Sequence, residues 1–165
     1  MATTYKKIAS VTVGSGGASS IDFSSVPSTY TDLVIKVSAR DTTANGEFYL
    51  RFNSSTTNYS DRWLYGTGTA ASSTTNTKLD FFLASSGYTA NTFGNTEIYV
   101  PNYTSSNYKS VSGDSVQENN ATASYTLLEA GLWSDTAAIT SVNLIPAGGT
   151  FAQYSTATLY GIKNS

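Results

Sequence analysis

The chain has 165 residues, a length that suits one domain with a core of its own, and only 12% of them are charged, about half the usual share. A net charge of -2 leaves no basic footprint for nucleic acid or an anionic membrane surface. The absence of cysteine and histidine removes disulfides, thiolate chemistry, Ser-His and Cys-His couples and the commonest metal ligand. Serine and threonine, 25 of each, take the place of the missing charges, together with 12 asparagines.

The opening Met1-Ala2-Thr3-Thr4-Tyr5-Lys6-Lys7 leads into short alternating segments without an apolar signal region. No apolar run nears the ~20 residues that cross a bilayer. The expectation is a chain made in a cytoplasm without a secretion signal.

Apolar residues recur at period two between glycine, asparagine, serine and proline clusters, the pattern of short strands. Ala9, Val11 and Val13 share one face of a first strand, closed by Gly14-Ser15-Gly16-Gly17. Ile21 and Phe23 mark a second that stops before Pro27. Leu33, Ile35 and Val37 form a third, and Phe48, Leu50 and Phe52 a fourth. The Asn45-Gly46 pair between them tolerates positive φ and predicts a hairpin joining the two.

Trp63 and Tyr65 lie on the next predicted strand, and Gly66 to Thr77 reads as a long exposed loop. Strands follow at Leu79–Leu83 and at Ile98–Val100, where Pro101 stops the ladder. Val111 and Val116 suggest a weaker strand, bulged at Gly113. Tyr125 to Trp133 suits a strand better than a helix because of its aromatic and β-branched approach and Gly131. Ser134-Asp135-Thr136 is placed to cap a single helical turn. Val142 and Leu144 resume the alternation, and Thr156 to Ile162 ends it. About ten strands at this spacing predict an all-β fold, an antiparallel two-sheet sandwich of jelly-roll type spanning residues 1–165 as one domain.

Three chemistries remain open. Glycoside hydrolysis needs two carboxylates and no histidine, and Asp114, Glu118, Glu129 and Asp135 are the densest acids. Eleven scattered acids are also what a soluble surface carries, so no catalytic residue is assigned. Asp41, Asn45 and Glu47 around Gly46 offer oxygen ligands for calcium, but their spacing departs from a calcium-loop pattern and fits a polar turn better; no cofactor or metal site is expected. Tyrosines on strands follow from β propensity, whereas Tyr59, Tyr88 and Tyr103 fall in predicted loops and suggest contact surface. Four Asn-x-Ser/Thr triplets, at Asn53, Asn58, Asn102 and Asn120, match chance frequency and carry no weight as glycosylation sites. Uncharged Ser/Thr/Asn loops resist a neighbour little and favour packing into an oligomer or array.

Several strings sharpen this. Arg51-Phe52-Asn53, Asn58-Tyr59-Ser60 and Leu64-Tyr65-Gly66 come first. The run from Asn91 to Tyr103 follows, then Lys109-Ser110, Ala130 to Ser134 and Ala138 to Val142, and the closing stretch from Ser155 to Ile162. In this order, from about Tyr30 onward and with the opening Ile8-Ala9-Ser10, the chain resembles small β-sandwich virion proteins of tailed bacteriophages infecting marine bacteria and cyanobacteria. The resemblance implies a non-enzymatic structural protein of the virion, most simply a capsid decoration (cement) protein. Its partners would be the major capsid protein and copies of itself in a homotrimer, with no nucleic acid and no membrane. Tyr5, Tyr59, Tyr88, Phe93 and Tyr103 are the expected interface. The alternative is a tail or head-fibre knob that recognises a host glycan through exposed rings such as Tyr65 or Tyr103.

Overall fold

The computed structural model describes residues 5–120 and 124–163, and among these the regular elements are all strands. They are β1 (Tyr5–Thr12), β2 (Ile21–Phe23), β3 (Asp32–Ala39), β4 (Glu47–Phe52), β5 (Tyr59–Gly66) and β6 (Ala71–Thr74). The second half supplies β7 (Leu79–Phe82), β8 (Gly94–Val100), β9 (Lys109–Gln117), β10 (Tyr125–Trp133), β11 (Val142–Pro146) and β12 (Thr156–Ile162). One sheet runs β1-β12-β3-β8-β9-β10-β5-β6 and the other β2-β11-β4-β7, with every pairing antiparallel. The strands β1, β12, β3 and β8 set against β2, β11, β4 and β7 have the order of a jelly roll built from two Greek keys. The hairpins β5–β6 and β9–β10 widen the larger sheet beyond that frame.

The alternation read from the sequence becomes the core. Ile35, Val37, Ile98, Leu159 and Ala157 from the large sheet meet Phe48, Leu50, Phe52, Val142 and Leu144 from the small one, all buried. β7 is the edge of the small sheet, yet all four of its residues are buried. Leu79 and Phe81 press on β10 and β9 at Gly131 and Gly113. Phe82 turns the other way, its ring centroid 5.0 Å from that of Trp63 and 5.3 Å from that of Tyr125. The widened sheet thus wraps β7 on both sides.

Several expectations change here. Asn45-Gly46 does make a left-handed turn, with Gly46 at φ 67, but β3 and β4 belong to different sheets, so the connection crosses the sandwich and is not a hairpin. Gly113 is not bulged, since β9 keeps register with both neighbours through it. A Cβ there would lie 2.6 Å from Phe81 Cε1 and 2.9 Å from the Glu97 carbonyl oxygen, so the glycine is needed for close approach. The irregular register lies instead in β1, between Lys7 and Ala9. The stretch read as a loop after Gly66 contains β6, an exposed edge strand of Ala and hydroxyl residues that carries no alternation to read. Ser134-Asp135-Thr136 forms no helical turn; Asp135 Oδ1 accepts the Ala137 N–H at 2.8 Å and closes a local turn.

The asparagines also find a local explanation. Asn53, Asn58, Asn91, Asn102 and Asn120 all have φ between 49 and 69, the left-handed region that asparagine tolerates better than most residues. Asn53 pins the β4 end to the β11 approach. Its Oδ1 accepts the N–H groups of Thr140 and Ser141 at 2.8 and 3.1 Å, and its Nδ2 donates to the Ala138 carbonyl at 2.8 Å. Turn chemistry therefore accounts for part of the polar loop composition that assembly was invoked to explain.

Candidate functional site

Three features stand out beyond the core. The first is a cleft of about 450 Å³ at the end of the sandwich where the large sheet wraps past β7. Trp63 and Tyr65 from β5, Phe82 from β7 and Tyr125 from β10 form its aromatic wall, and Tyr88 adds a ring from the loop after β7. The rings meet edge to face: Trp63 and Tyr65 are 6.4 Å apart at 86°, Tyr65 and Phe82 6.2 Å apart at 89°. Asn45, Glu47 and Gln117 supply polar groups. Gln117 is buried, and its Oε1 has no hydrogen-bond partner among the described residues.

The loop that carries Tyr88 is braced from below. Arg40 Nη1 donates to the Thr89 and Thr92 carbonyls at 3.0 Å each, and Nη2 donates to the Tyr88 carbonyl at 3.0 Å. One guanidinium, with its rigid fork of donors, gathers three carbonyls of this segment, which the Ser86 N–H ties to the Thr43 carbonyl and the Thr89 hydroxyl to the Asn119 carbonyl. Burial raises the Glu47 carboxyl above its ordinary range, opposed by the charge of Lys78.

The second feature is a group of buried acids behind the cleft, on β5, β7 and β10. Asp61, Asp80 and Glu129 are each at least nine-tenths buried, Glu129 at 1% exposure. Neither Glu129 oxygen has a hydrogen-bond partner among the described residues. Burial, reinforced by the charges of Asp61 and Asp80, pushes its pKa up to about 10, so it carries a proton at neutral pH. Asp80 is pushed up to about 7, by burial first and then by Asp61 and Glu47, with Lys78 opposing. Asp61 is raised by burial, while the Asn76 N–H, donated to Oδ1 at 2.7 Å, favours its charged form. The Trp63 indole beside Asp61 also favours the charge, yet its N–H closes no hydrogen bond of ordinary geometry.

The third feature is an apolar patch on the outer face of the large sheet. Leu64 on β5 and Leu128 on β10 are direct cross-strand partners, 56% and 59% exposed, and Val116 on β9 stands nearby. They border a shallow hollow of about 340 Å³. Outward positions of such a sheet are ordinarily polar, so these leucines are the anomaly.

The residues expected from the sequence separate among these features. Tyr88 lines the cleft, and Phe93, on the same braced loop, lines a different hollow with Arg40 and Tyr154. Tyr5 is exposed on the edge strand β1, packed edge to face on Tyr160. Tyr59 and Tyr103 are not loop rings open to a partner. Tyr59 starts β5 and is buried, its hydroxyl accepting the Phe52 N–H at 2.9 Å. Tyr103 is fully buried and donates its hydroxyl to the Pro27 carbonyl. Both are core residues whose polar tips tie down backbone, which removes them from the interface and Tyr103 from glycan contact. Tyr65, by contrast, lines the cleft.

The four acids do not gather. Asp114 and Glu118 are exposed, Asp135 closes its own turn, and Glu129 alone points inward, toward two aspartates that the sequence did not single out. Asp41 is buried in its own turn, its carboxylate accepting the Thr43 N–H and hydroxyl at 3.0 and 2.8 Å, while Asn45 and Glu47 line the cleft. Among the described residues no group of three or more acidic side chains is placed to hold a metal ion. The exposed Leu64, Leu128, Tyr108 and Tyr154 were missed; the leucines were readable only as outward positions of strands whose faces were not yet known. Comparison with family models, with curated proteins and with solved structures gave no match.

Proposed function

We propose that the chain is a structural protein of a tailed-bacteriophage virion, a capsid decoration protein. In this reading it sits on the outer surface of the head and bridges major capsid protein subunits as a homotrimer. The observation that supports it is the uncovered Leu64–Leu128 pair with Val116, an apolar face that a sandwich has no internal reason to keep. Burying what remains exposed of the two leucines against a neighbour contributes about 2–3 kcal/mol, with the Asp114 carboxylate, cross-strand from Leu128, left at the edge of the patch. Resemblance to phage virion sandwiches and a cysteine-free composition, indifferent to the passage from cytoplasm to exterior, are consistent with it.

The test uses assembled particles. Removal of this protein is expected to lower their thermal and osmotic resistance, and re-addition to restore it. The Leu64→Lys, Leu128→Lys double variant should fold normally but fail to rebind. Bare particles as robust as complete ones would sink the cementing role.

A further inference from the structure

We propose that the cleft at the end of the sandwich binds a neutral sugar, one or two pyranose rings of a glycan. This goes beyond a scaffolding role and does not depend on where in a particle the chain sits.

The volume, about 450 Å³, falls in the range of small-ligand sites, roughly 300–1,000 Å³. The wall is chemically divided in the way a sugar is. A pyranose has an apolar face of C–H groups, slightly positive, that packs on the negative face of an aromatic ring. Its rim carries hydroxyls that each donate and accept. Tyr65, Tyr88 and Tyr125 are half-buried rings with Trp63 and Phe82 behind them. Further partners for hydroxyls on the lining are the Asn45 amide and the Glu47 carboxylate. Gln117 decides the matter: a buried amide with a free acceptor costs about 1–3 kcal/mol unless something bonds to it. A sugar hydroxyl entering the cleft would supply that donor.

Two competing ligand classes fit less well. An anionic ligand meets no lysine or arginine among the described lining residues and faces the Glu47 carboxylate instead. A quaternary ammonium would suit an aromatic cage. It has no hydrogen bonds for Gln117 or Asn45, however, and would leave the buried acceptor as it is.

The test titrates the whole protein with glucose, galactose, mannose and N-acetylglucosamine and with their disaccharides. Calorimetry and tryptophan fluorescence follow binding, since Trp63 lines the cleft. At least one neutral probe should bind saturably, with Kd below about 10 mM. Tyr65→Ala should weaken it about tenfold, the size expected for one lost stacking partner. Tyr88→Ala, in a surface loop and so less exposed to folding failure, should weaken it several-fold, while Tyr108→Ala, far from the lining, should not change it. The proposal is overturned if no neutral probe binds, if both cleft variants bind as the parent does, or if glucuronate or choline binds more tightly than every neutral sugar.

Discussion

Replacing Glu129 by glutamine should remove the pH dependence that this residue imposes on folding. In the folded chain its pKa is pushed up to about 10 from an ordinary 4.5. Between those values the folded state keeps a proton that the unfolded chain has released. Stability therefore falls as pH rises, by about 1.4 kcal/mol per pH unit, and is greatest below the unfolded value. At pH 7 the accumulated cost is about 3 kcal/mol, a large fraction of a typical domain's stability. Glutamine has nearly the same shape and no proton to hold. Its packing adds a constant offset, so the slope is the quantity to read. Urea unfolding followed by tryptophan fluorescence, from about pH 5 to about pH 8, should show the variant gaining on the parent by about 4 kcal/mol across the range. Asp80, pushed up to about 7 and facing the same group, leaves the variant with a residual slope below pH 7. Parallel curves for the two proteins would refute the reasoning and mean that Glu129 is ionised in the fold.

Gly113→Ala should destabilise by about 1–3 kcal/mol in the same assay, because the new methyl meets the Phe81 ring on one side and the Glu97 carbonyl on the other. A neutral result would mean that β7 can move away from β9. Asn53→Ala should cost about 2–3 kcal/mol, combining lost hydrogen bonds with a left-handed backbone that alanine resists. Asn53→Gly relieves only the backbone part, so it should fall between parent and alanine; equal losses would assign the whole effect to the hydrogen bonds.

The strands were legible because each half-buried strand writes its own alternation, as Leu33-Ile35-Val37 and Phe48-Leu50-Phe52 do. Which sheet a strand joins is written nowhere locally. Asn45-Gly46 announces a turn and says nothing about whether the chain pairs back or crosses the sandwich. For the same reason the cleft was out of reach: Trp63, Phe82 and Tyr125 come from three strands that meet only when the large sheet wraps past β7. Glu129 could be picked out as an acid, but Asp61 and Asp80 join it only through that topology. Tyr59 starts β5 instead of lying in a loop, and Tyr103 does lie in the turn after β8 but is buried; in both the hydroxyl serves the backbone from inside the core, which no local sequence pattern announces.

The pairing of β1 with β12 has a mechanical consequence. Tyr5 lies opposite Ile162 and Thr12 opposite Thr156, so the chain enters and leaves at the same end of one ladder. Tension applied through these two ends opens the ladder as a zipper, one pair at a time, and never loads its hydrogen bonds in concert. Such a domain is a poor tether when pulled by its tails. Force along the strands, applied to β1 and β12 at opposite ends of the ladder, would load its hydrogen bonds together and meet greater resistance.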